Sequence, residues 1–177
     1  MTNASEETAY LAGGCFWGMQ ELLREIPGVL ETDVGYMGGE VEHATYRRHE
    51  GHAETVRVVF DPAQLPFEEL LAWFFRMHDP TTKDRQGNDV GTSYRSAVFY
   101  TTEEQRETAE AFVERLETLG NWQGPITTAI EPAGAYWPAE PEHQDYLRRN
   151  PGGYTCHYLR PESVLGEAPA ERQAKHS

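Results

Sequence analysis

A strand, a glycine pair and a helix follow one another in residues 8–28, which read TAYLAGGCFWGMQELLREIPG. The strand is predicted at Thr8–Ala12, directly before Gly13-Gly14. After the glycine pair, apolar side chains recur at helical spacing until Pro27-Gly28 ends the helix; they are Phe16, Met19, Leu22, Leu23 and Ile26. Cys15 is therefore expected where the strand ends and the helix begins.

The hydrophobic pattern of the rest of the chain predicts four more strands, at 29–36, 54–60, 94–100 and 127–131. Two more helices are expected, one with Pro66 in its first turn and one that begins at the capping box Thr102-Glu103-Glu104-Gln105. The resulting order, strand-helix-strand-strand-helix-strand with an added helix and strand, is typical of the split-βαβ pattern. We expect an α+β fold, a two-layer α/β sandwich with a ferredoxin-like core and a largely antiparallel mixed sheet.

The chain has 177 residues, of which 38% are hydrophobic, enough for one globular domain with its own core. We assign residues 1–160 to a single catalytic domain and 161–177 to a flexible C-terminal tail. From Pro132 onward, Pro and Gly recur so often that a long irregular coil is expected. The polar segment 80–93 is too long for an ordinary connection, which favours a functional role.

The formal net charge of -14 argues against nucleic acid and anionic membrane surfaces as partners, because both would be repelled. The first residues are polar and acidic, and no later apolar run is long enough to span a bilayer. We therefore expect a cytoplasmic protein, and we expect a monomer. In a reducing compartment, two cysteines favour a catalytic or redox role over a structural bridge, although the count alone favours two buried bystanders.

Cys15 is a candidate nucleophile. At the start of a helix, a thiol meets unpaired backbone N–H groups and the positive end of the helix dipole, which stabilise the thiolate. We therefore expect its pKa to be lowered. The neighbours Phe16 and Trp17 supply an apolar wall, although packing at a helix start would explain them as well.

Glu54 is a candidate acid. The period-two alternation of its strand places it on the same side as the apolar residues Val56, Val58 and Phe60. Burial at an apolar face disfavours the charged form of a carboxyl, so its pKa should rise and it should stay protonated near neutral pH. The alternative is an exposed glutamate at the end of a strand.

Tyrosines cluster in the segments that connect the predicted elements, at Tyr36, Tyr46, Tyr94, Tyr146 and Tyr154. Beside a protonated carboxyl, their hydroxyls would suit an oxygen atom that gains negative charge as a bond to it breaks. Ordinary packing is the alternative for each of them.

Nine short motifs along the chain are informative as an ordered set. They are Gly14-Cys15-Phe16-Trp17-Gly18, Gly35-Tyr36-Met37-Gly38-Gly39, Thr45-Tyr46, Gly51-His52-Ala53-Glu54, His78-Asp79-Pro80, Arg85-Gln86-Gly87-Asn88-Asp89, Tyr94-Arg95-Ser96, His143-Gln144-Asp145-Tyr146-Leu147 and Asn150-Pro151. In this order they resemble the motifs of the methionine sulfoxide reductase A family, over most of the chain. The resemblance implies reduction of the S epimer of methionine sulfoxide, free or within proteins, to methionine, and thus repair of oxidised proteins.

The resemblance also implies roles for individual residues. Cys15 would attack the sulfur, Glu54 would deliver the proton, and Tyr46 and Tyr94 would hydrogen-bond the oxygen. The methyl group would be held by Phe16 and Trp17, with further substrate contacts from Asp89 and Tyr146. Neither a cofactor nor a metal is implied.

Loss of methionine would leave Cys15 as a sulfenic acid, which a second thiol can convert to a disulfide. By the resemblance, Cys156 is that thiol and thioredoxin is the reductant of the Cys15–Cys156 bridge. Bridging needs the two Cα atoms within about 7 Å, so the coil that carries Cys156 must lie over, or swing over, the start of the first helix. The alternative is a spare Cys156, with small thiols recycling the enzyme.

Other classes of function are weighed against this one. His49, His52 and Glu54 are close enough in sequence to suggest a metal site, although their spacing is not that of a helix-borne zinc motif. Acyl transfer by Cys15 with His52 or His143 would explain the thiol but neither Glu54 nor the second cysteine. An acidic binding module with an aromatic groove would fit the charge but leave Cys15 unexplained.

Overall fold

The computed structural model describes residues 6–122 and 124–165. Eight strands and four α-helices are found in these residues. Their bounds are β1 Glu7–Gly13, α1 Phe16–Leu23, β2 Val29–Met37, β3 Ala53–Phe60, α2 Phe67–Met77, β4 Arg85–Gln86, β5 Asp89–Val90, β6 Ser96–Tyr100, α3 Glu103–Leu119, β7 Ala129–Pro132, β8 Trp137–Pro138 and α4 Tyr146–Arg149. In this part of the chain, no helix is both long and apolar enough to cross a membrane.

Six strands form the main sheet, in the order β7-β6-β1-β3-β2-β8. All neighbouring pairs are antiparallel except β6 and β7, which are parallel. The central order β6-β1-β3-β2, with α1 and α2 as the crossover helices, is the expected split-βαβ arrangement. The α+β prediction is confirmed.

A layer of helices covers one face of the sheet. The larger core cluster contains side chains from α1, α2, α3 and the central strands, and the rings of Phe75 and Phe112 join α2 to α3 with centroids 5.4 Å apart. A smaller cluster on strand residues alone includes Met37 and Phe99. The strand β3 is buried along nearly its whole length because it lies between β1 and β2 in the middle of the sheet.

The three longer helices differ from the predictions at one of their ends. The helix α1 ends at Leu23, and the chain continues to Ile26 through tighter i→i+3 bonds, so the apolar pattern outlasts the α-helix. Pro66 is the N-cap of α2 instead of lying in its first turn. At α3, Thr102 caps the helix as predicted, whereas the side chain of Gln105 accepts from the N–H of Thr101, one residue earlier than a capping box requires.

The irregular C-terminal coil is observed, with short elements that the pattern does not predict. These are β8, α4 and two 3-10 turns, at Pro141–His143 and at Glu162–Leu165. The second of these turns packs against α2, where Arg76 lies 3.9 Å from Glu162. The rest of the expected tail, 166–177, lies outside the described residues.

The ends of several strands meet at one edge of the sheet, near the start of α1. Because β3 is antiparallel to both of its neighbours, its first residues lie beside the ends of β1 and β2, and Glu54 pairs with Tyr36. The end of β1 pairs with the start of β6 through Gly13 and Ser96. This edge therefore collects residues from four distant stretches of sequence around the start of α1.

Candidate active site

Cys15 is the N-cap of α1 and has no capping hydrogen bond from its side chain. The turn before it requires glycine at position 14, where φ is +108° and a Cβ would lie 2.7 Å from Cγ of Gln86. The next N–H, that of Phe16, donates to Oε1 of Glu54 at 3.0 Å. One backbone step thus joins the buried thiol to the buried carboxyl.

The expected lowering of the Cys15 pKa is not found. The N–H groups of Trp17 and Gly18 do lower it, as the helix start predicts, but burial raises it more strongly and the charge of Glu54 adds to the rise. In the resting site Cys15 is a neutral thiol. Deprotonation must therefore be coupled to the chemistry that uses it.

Glu54 is 2% exposed, at the start of β3. Burial raises its pKa to about 8, despite the lowering effect of the hydrogen bond from Phe16, and the nearby charge of Asp89 adds to the rise. The predicted burial and raised pKa are confirmed. At neutral pH this carboxyl holds a proton beside Cys15, which is the arrangement of a proton donor next to a nucleophile.

Tyr46 and Tyr94 face this pair. Burial and the charge of Glu54 raise the pKa of both phenols, so both remain donors. Two other tyrosines of the predicted cluster make different kinds of contact. The ring of Tyr146 stacks on Trp17 with centroids 3.8 Å apart, whereas Tyr36 donates its hydroxyl to Glu140 at 3.1 Å.

An aromatic cluster lines the site beside Cys15. His143 is at its centre: its ring stacks on Tyr46 at 4.4 Å between centroids, lies 5.7 Å from Phe16, and accepts the indole N–H of Trp17 at Nδ1, 3.1 Å away. That hydrogen bond requires an unprotonated Nδ1. The sequence motif around His143 marked this residue without indicating its contacts.

Glu140 belongs to the site and was missed in the sequence. Its carboxylate accepts the hydroxyl of Tyr36 at one oxygen and the backbone N–H of Tyr46 at the other, at 3.1 and 3.0 Å. It thereby fixes the loop that carries Tyr46 to β2. The contacts span 104 and 94 residues, so no local pattern could have signalled them.

The polar segment 80–93 forms the hairpin β4–β5, which carries Asp89. Burial is the main cause of the raised pKa of Cys15, Glu54, Tyr46 and Tyr94, and the charge of Asp89 adds to the rise in each. Asp89 therefore lies near the edge of the sheet where Cys15 and Glu54 meet.

The coil that carries Cys156 lies against the start of α1. The ring of His157 donates from Nε2 to the carbonyl of Gly13 at 2.7 Å, and a Cβ at Gly18 would lie only 2.5 Å from Nδ1 of the same ring. Glycine at position 18 is therefore needed for this close approach. Cys156 itself is half-buried, and both cysteines are free thiols.

The alternative metal site is not supported. His52 accepts the N–H of Gly39 and bonds Val41, and His49 bonds Thr45 and Ser93, so all four ring nitrogens are engaged. Within residues 6–122 and 124–165, no three His, Cys, Asp or Glu side chains are grouped to hold a metal ion. These engaged nitrogens also leave His52 no free one with which to activate a thiol.

Comparison with known proteins decides the family. The family model described as "Peptide methionine sulfoxide reductase" matches residues 7–174. The chain belongs to this family. It is an enzyme family, and the resemblance carried by the sequence motifs is confirmed.

Individual members are similar over nearly their whole length. A peptide methionine sulfoxide reductase MsrA of Mycolicibacterium paratuberculosis is 58% identical over 161 residues, 91% of this chain and 93% of the relative. The crystal structure of reduced Mxr1 from Saccharomyces cerevisiae has a TM-score of 0.81 at 37% identity, covering 89% of this chain and 94% of Mxr1. Mxr1 in complex with Trx2 has a TM-score of 0.61 at 28% identity and covers 89% and 92%.

Proposed function

We propose that this protein reduces the S epimer of methionine sulfoxide, free or within proteins, to methionine, and so repairs oxidised proteins. The observation that carries the proposal is the 3.0 Å hydrogen bond from the N–H of Phe16 to Glu54, which fixes a protonated carboxyl next to the Cys15 thiol. A sulfoxide has an electrophilic sulfur, a basic oxygen and a methyl group. Its reduction needs a soft nucleophile, a proton donor and an apolar pocket.

In the first step, Sγ of Cys15 forms a bond to the sulfoxide sulfur as Glu54 gives its proton to the oxygen. The thiol proton replaces the one that Glu54 has lost, so the two acids act as one unit. The oxygen then passes to Cys15, methionine leaves, and a sulfenic acid remains. Because burial raises the pKa of both groups, this coupled transfer avoids a free thiolate in the resting site.

Tyr46 and Tyr94 supply hydroxyl donors for the oxygen as negative charge develops on it. The methyl group fits against Phe16 and Trp17, and the stacked ring of Tyr146 extends the apolar wall. In this proposal Asp89 accepts a hydrogen bond from the polar part of the substrate.

In the second step, Cys156 condenses with the sulfenic acid of Cys15, which releases water and leaves a disulfide. Thioredoxin then supplies two electrons and restores both thiols. The docking of the Cys156 coil on α1 supports the first part, and the complex of Mxr1 with Trx2 supports the second. A monomeric state, a cytoplasmic location and the single catalytic domain 1–160 belong to the same proposal.

Anaerobic single turnover on the two separate epimers of methionine sulfoxide tests the function. We expect the S epimer alone to be consumed, with one methionine formed and two thiols lost per protein. Cys15→Ser should abolish methionine formation. Cys156→Ser should form one methionine and stop as a sulfenic acid detectable by mass.

Two results would contradict this scheme. Equal consumption of both epimers would remove the stereochemical assignment. Steady turnover of Cys156→Ser with thioredoxin, at the rate of the unmodified protein, would remove the disulfide from the cycle.

A further inference from the structure

The thiol of Cys156 lies against the hairpin β4–β5. Its Sγ is 3.8 Å from Oδ2 of Asp89 and 3.7 Å from the carbonyl oxygen of Gln86, both within hydrogen-bond reach of a thiol. Gly87 makes this approach possible, because a Cβ there would lie 3.2 Å from Cβ of Cys156. A carboxylate oxygen is thus in contact with the second cysteine.

Tyr154 holds the same carboxylate oxygen. Its hydroxyl donates to Oδ2 of Asp89 at 3.3 Å, and the pKa of this largely exposed phenol is raised by partial loss of solvent around it and by the neighbouring thiol. A hydroxyl in this position can also donate to the sulfur, an interaction that favours the thiolate of Cys156. Carboxylate, phenol and thiol therefore form one cluster on two segments that are 65 or more residues apart.

This cluster meets a chemical need of the second step. Only the thiolate of Cys156 can attack a sulfenic acid efficiently. Burial and the charge of Asp89 raise the pKa of Cys156, so little thiolate is present at neutral pH. Condensation therefore needs a base that removes the thiol proton during the attack.

We propose that Asp89 is this general base: it takes the proton from Cys156 as that thiol attacks the sulfenic acid of Cys15. The inference rests on the proposed function. The Sγ–Sγ bond forms and the S–O bond of the sulfenic acid breaks. The leaving hydroxide takes the proton of Glu54 and departs as water, after which the proton on Asp89 returns to Glu54 through solvent. No oxidant beyond the sulfenic acid is consumed.

Rapid-quench single turnover with free methionine-S-sulfoxide tests the proposal in the full chain. Methionine formation and disulfide formation are measured separately, and the sulfenic acid is trapped with dimedone and counted by mass. In Asp89→Asn, condensation should slow by roughly 10² to 10⁴, the range expected for loss of a general base. The trapped sulfenic acid should then approach one per methionine formed, whereas little should accumulate in the unmodified protein.

Two variants serve as comparisons. Asp84→Asn removes a carboxylate from the same segment at a position with positive φ, which asparagine tolerates, and should behave like the unmodified protein. Asp89→Glu keeps a carboxylate and should restore condensation to well above the Asp89→Asn rate. The rate of disulfide formation is measured relative to the amount of sulfenic acid formed. Weaker substrate binding in either Asp89 variant therefore does not change the measured condensation rate.

The outcomes separate the inference from the function beneath it. If Asp89→Asn forms methionine and its disulfide then closes within twofold of the unmodified rate, the role of Asp89 as base is wrong and the proposed function stands. If the unmodified protein forms neither methionine nor sulfenic acid, both fall together.

Discussion

Glu54 shows how one residue acquires its chemistry from its surroundings. Burial at the start of a central strand raises its pKa to about 8, so the protein carries a proton donor at neutral pH. Ionisation of Glu54 would both remove that proton and place a charge next to Cys15, whose pKa rises further in response. The carboxyl and the thiol therefore depend on one another.

We predict that the single-turnover rate of methionine formation falls as pH rises through about 8, because the donor form of Glu54 is lost there. Glu54→Gln should lower that rate by roughly 10² to 10⁴ at pH 7 and abolish the decline. Stopped-flow measurements between pH 6 and pH 10 would show both effects.

Glu50→Gln is the matched control, because Glu50 is an exposed carboxyl in the loop before β3. It should keep the rate and the pH profile of the unmodified protein. A Glu54→Gln rate within threefold of the unmodified rate would remove Glu54 from the proton transfer.

Among the elements, the coil that carries Cys156 is positioned by glycines on other segments. Gly14 and Gly18 let His157 approach α1, and Gly87 lets Cys156 approach the β4–β5 turn. The coil thus has two docking points without a regular hydrogen-bond ladder to the main sheet. Its position depends on close packing, and a single added methyl group should disturb it.

We predict that Gly18→Ala slows disulfide closure at least tenfold, because its Cβ would collide with the ring of His157. Methionine formation should continue at one per protein, since alanine keeps the N–H that faces Cys15. Overpacking should also lower the free energy of unfolding by about 1–3 kcal/mol. Single-turnover thiol counts and urea unfolding would measure these effects.

Gly134→Ala offers the comparison, because a Cβ there meets open space. It should change neither closure nor stability. Unchanged closure in Gly18→Ala would mean that the docked position of the coil does not matter for the disulfide.

Across the whole molecule, buried histidines and the buried Glu54 make the free energy of unfolding depend on pH in opposite directions. His78 donates from Nδ1 to the carbonyl of Phe74 and bonds Ser96 at Nε2, and burial lowers its pKa to about 3. It faces His157, Arg160 and Asp79, and burial lowers the pKa of His157 as well. Below about pH 6.5 these histidines are protonated in the unfolded chain but remain neutral in the folded protein. The free energy of unfolding therefore falls as pH falls below about 6.5.

Glu54 acts in the other direction. Its folded pKa of about 8 lies above its unfolded value, so the folded state binds the extra proton, and stability is gained as pH falls from about 8 to about 4.5. Between pH 7 and pH 5, the contributions of His78 and Glu54 oppose each other at about 2 kcal/mol each, an order-of-magnitude figure.

We predict that Glu54→Gln removes the opposing effect of Glu54, so that the histidines alone dominate the pH dependence of the free energy of unfolding. The variant's free energy of unfolding should fall more steeply between pH 7 and pH 5 than that of the unmodified protein, by about 2 kcal/mol. Urea unfolding at the two pH values measures the difference. Equal slopes for the two proteins would show that Glu54 does not hold its proton in the folded state.

Much of the fold and part of the site could be predicted from the sequence, because they depend on neighbours a few residues apart. The helix start at Cys15 follows from a glycine pair and a helical apolar pattern, and the burial of Glu54 follows from strand alternation. The order of strands and helices fixes the split-βαβ arrangement. The family motifs located most of the residues that surround Cys15 and Glu54.

Only the tertiary structure decided how those residues interact. The hydrogen bond from Phe16 to Glu54 spans 38 residues, and the contact of Asp89 with Cys156 spans 67. The sign of the Cys15 pKa shift was predicted wrongly, because the helix start is a local effect whereas burial and the charge of Glu54 depend on the packed sheet. Periodicity reports on residues that adjoin in the chain, while desolvation and charge are set by groups that meet only once it is folded.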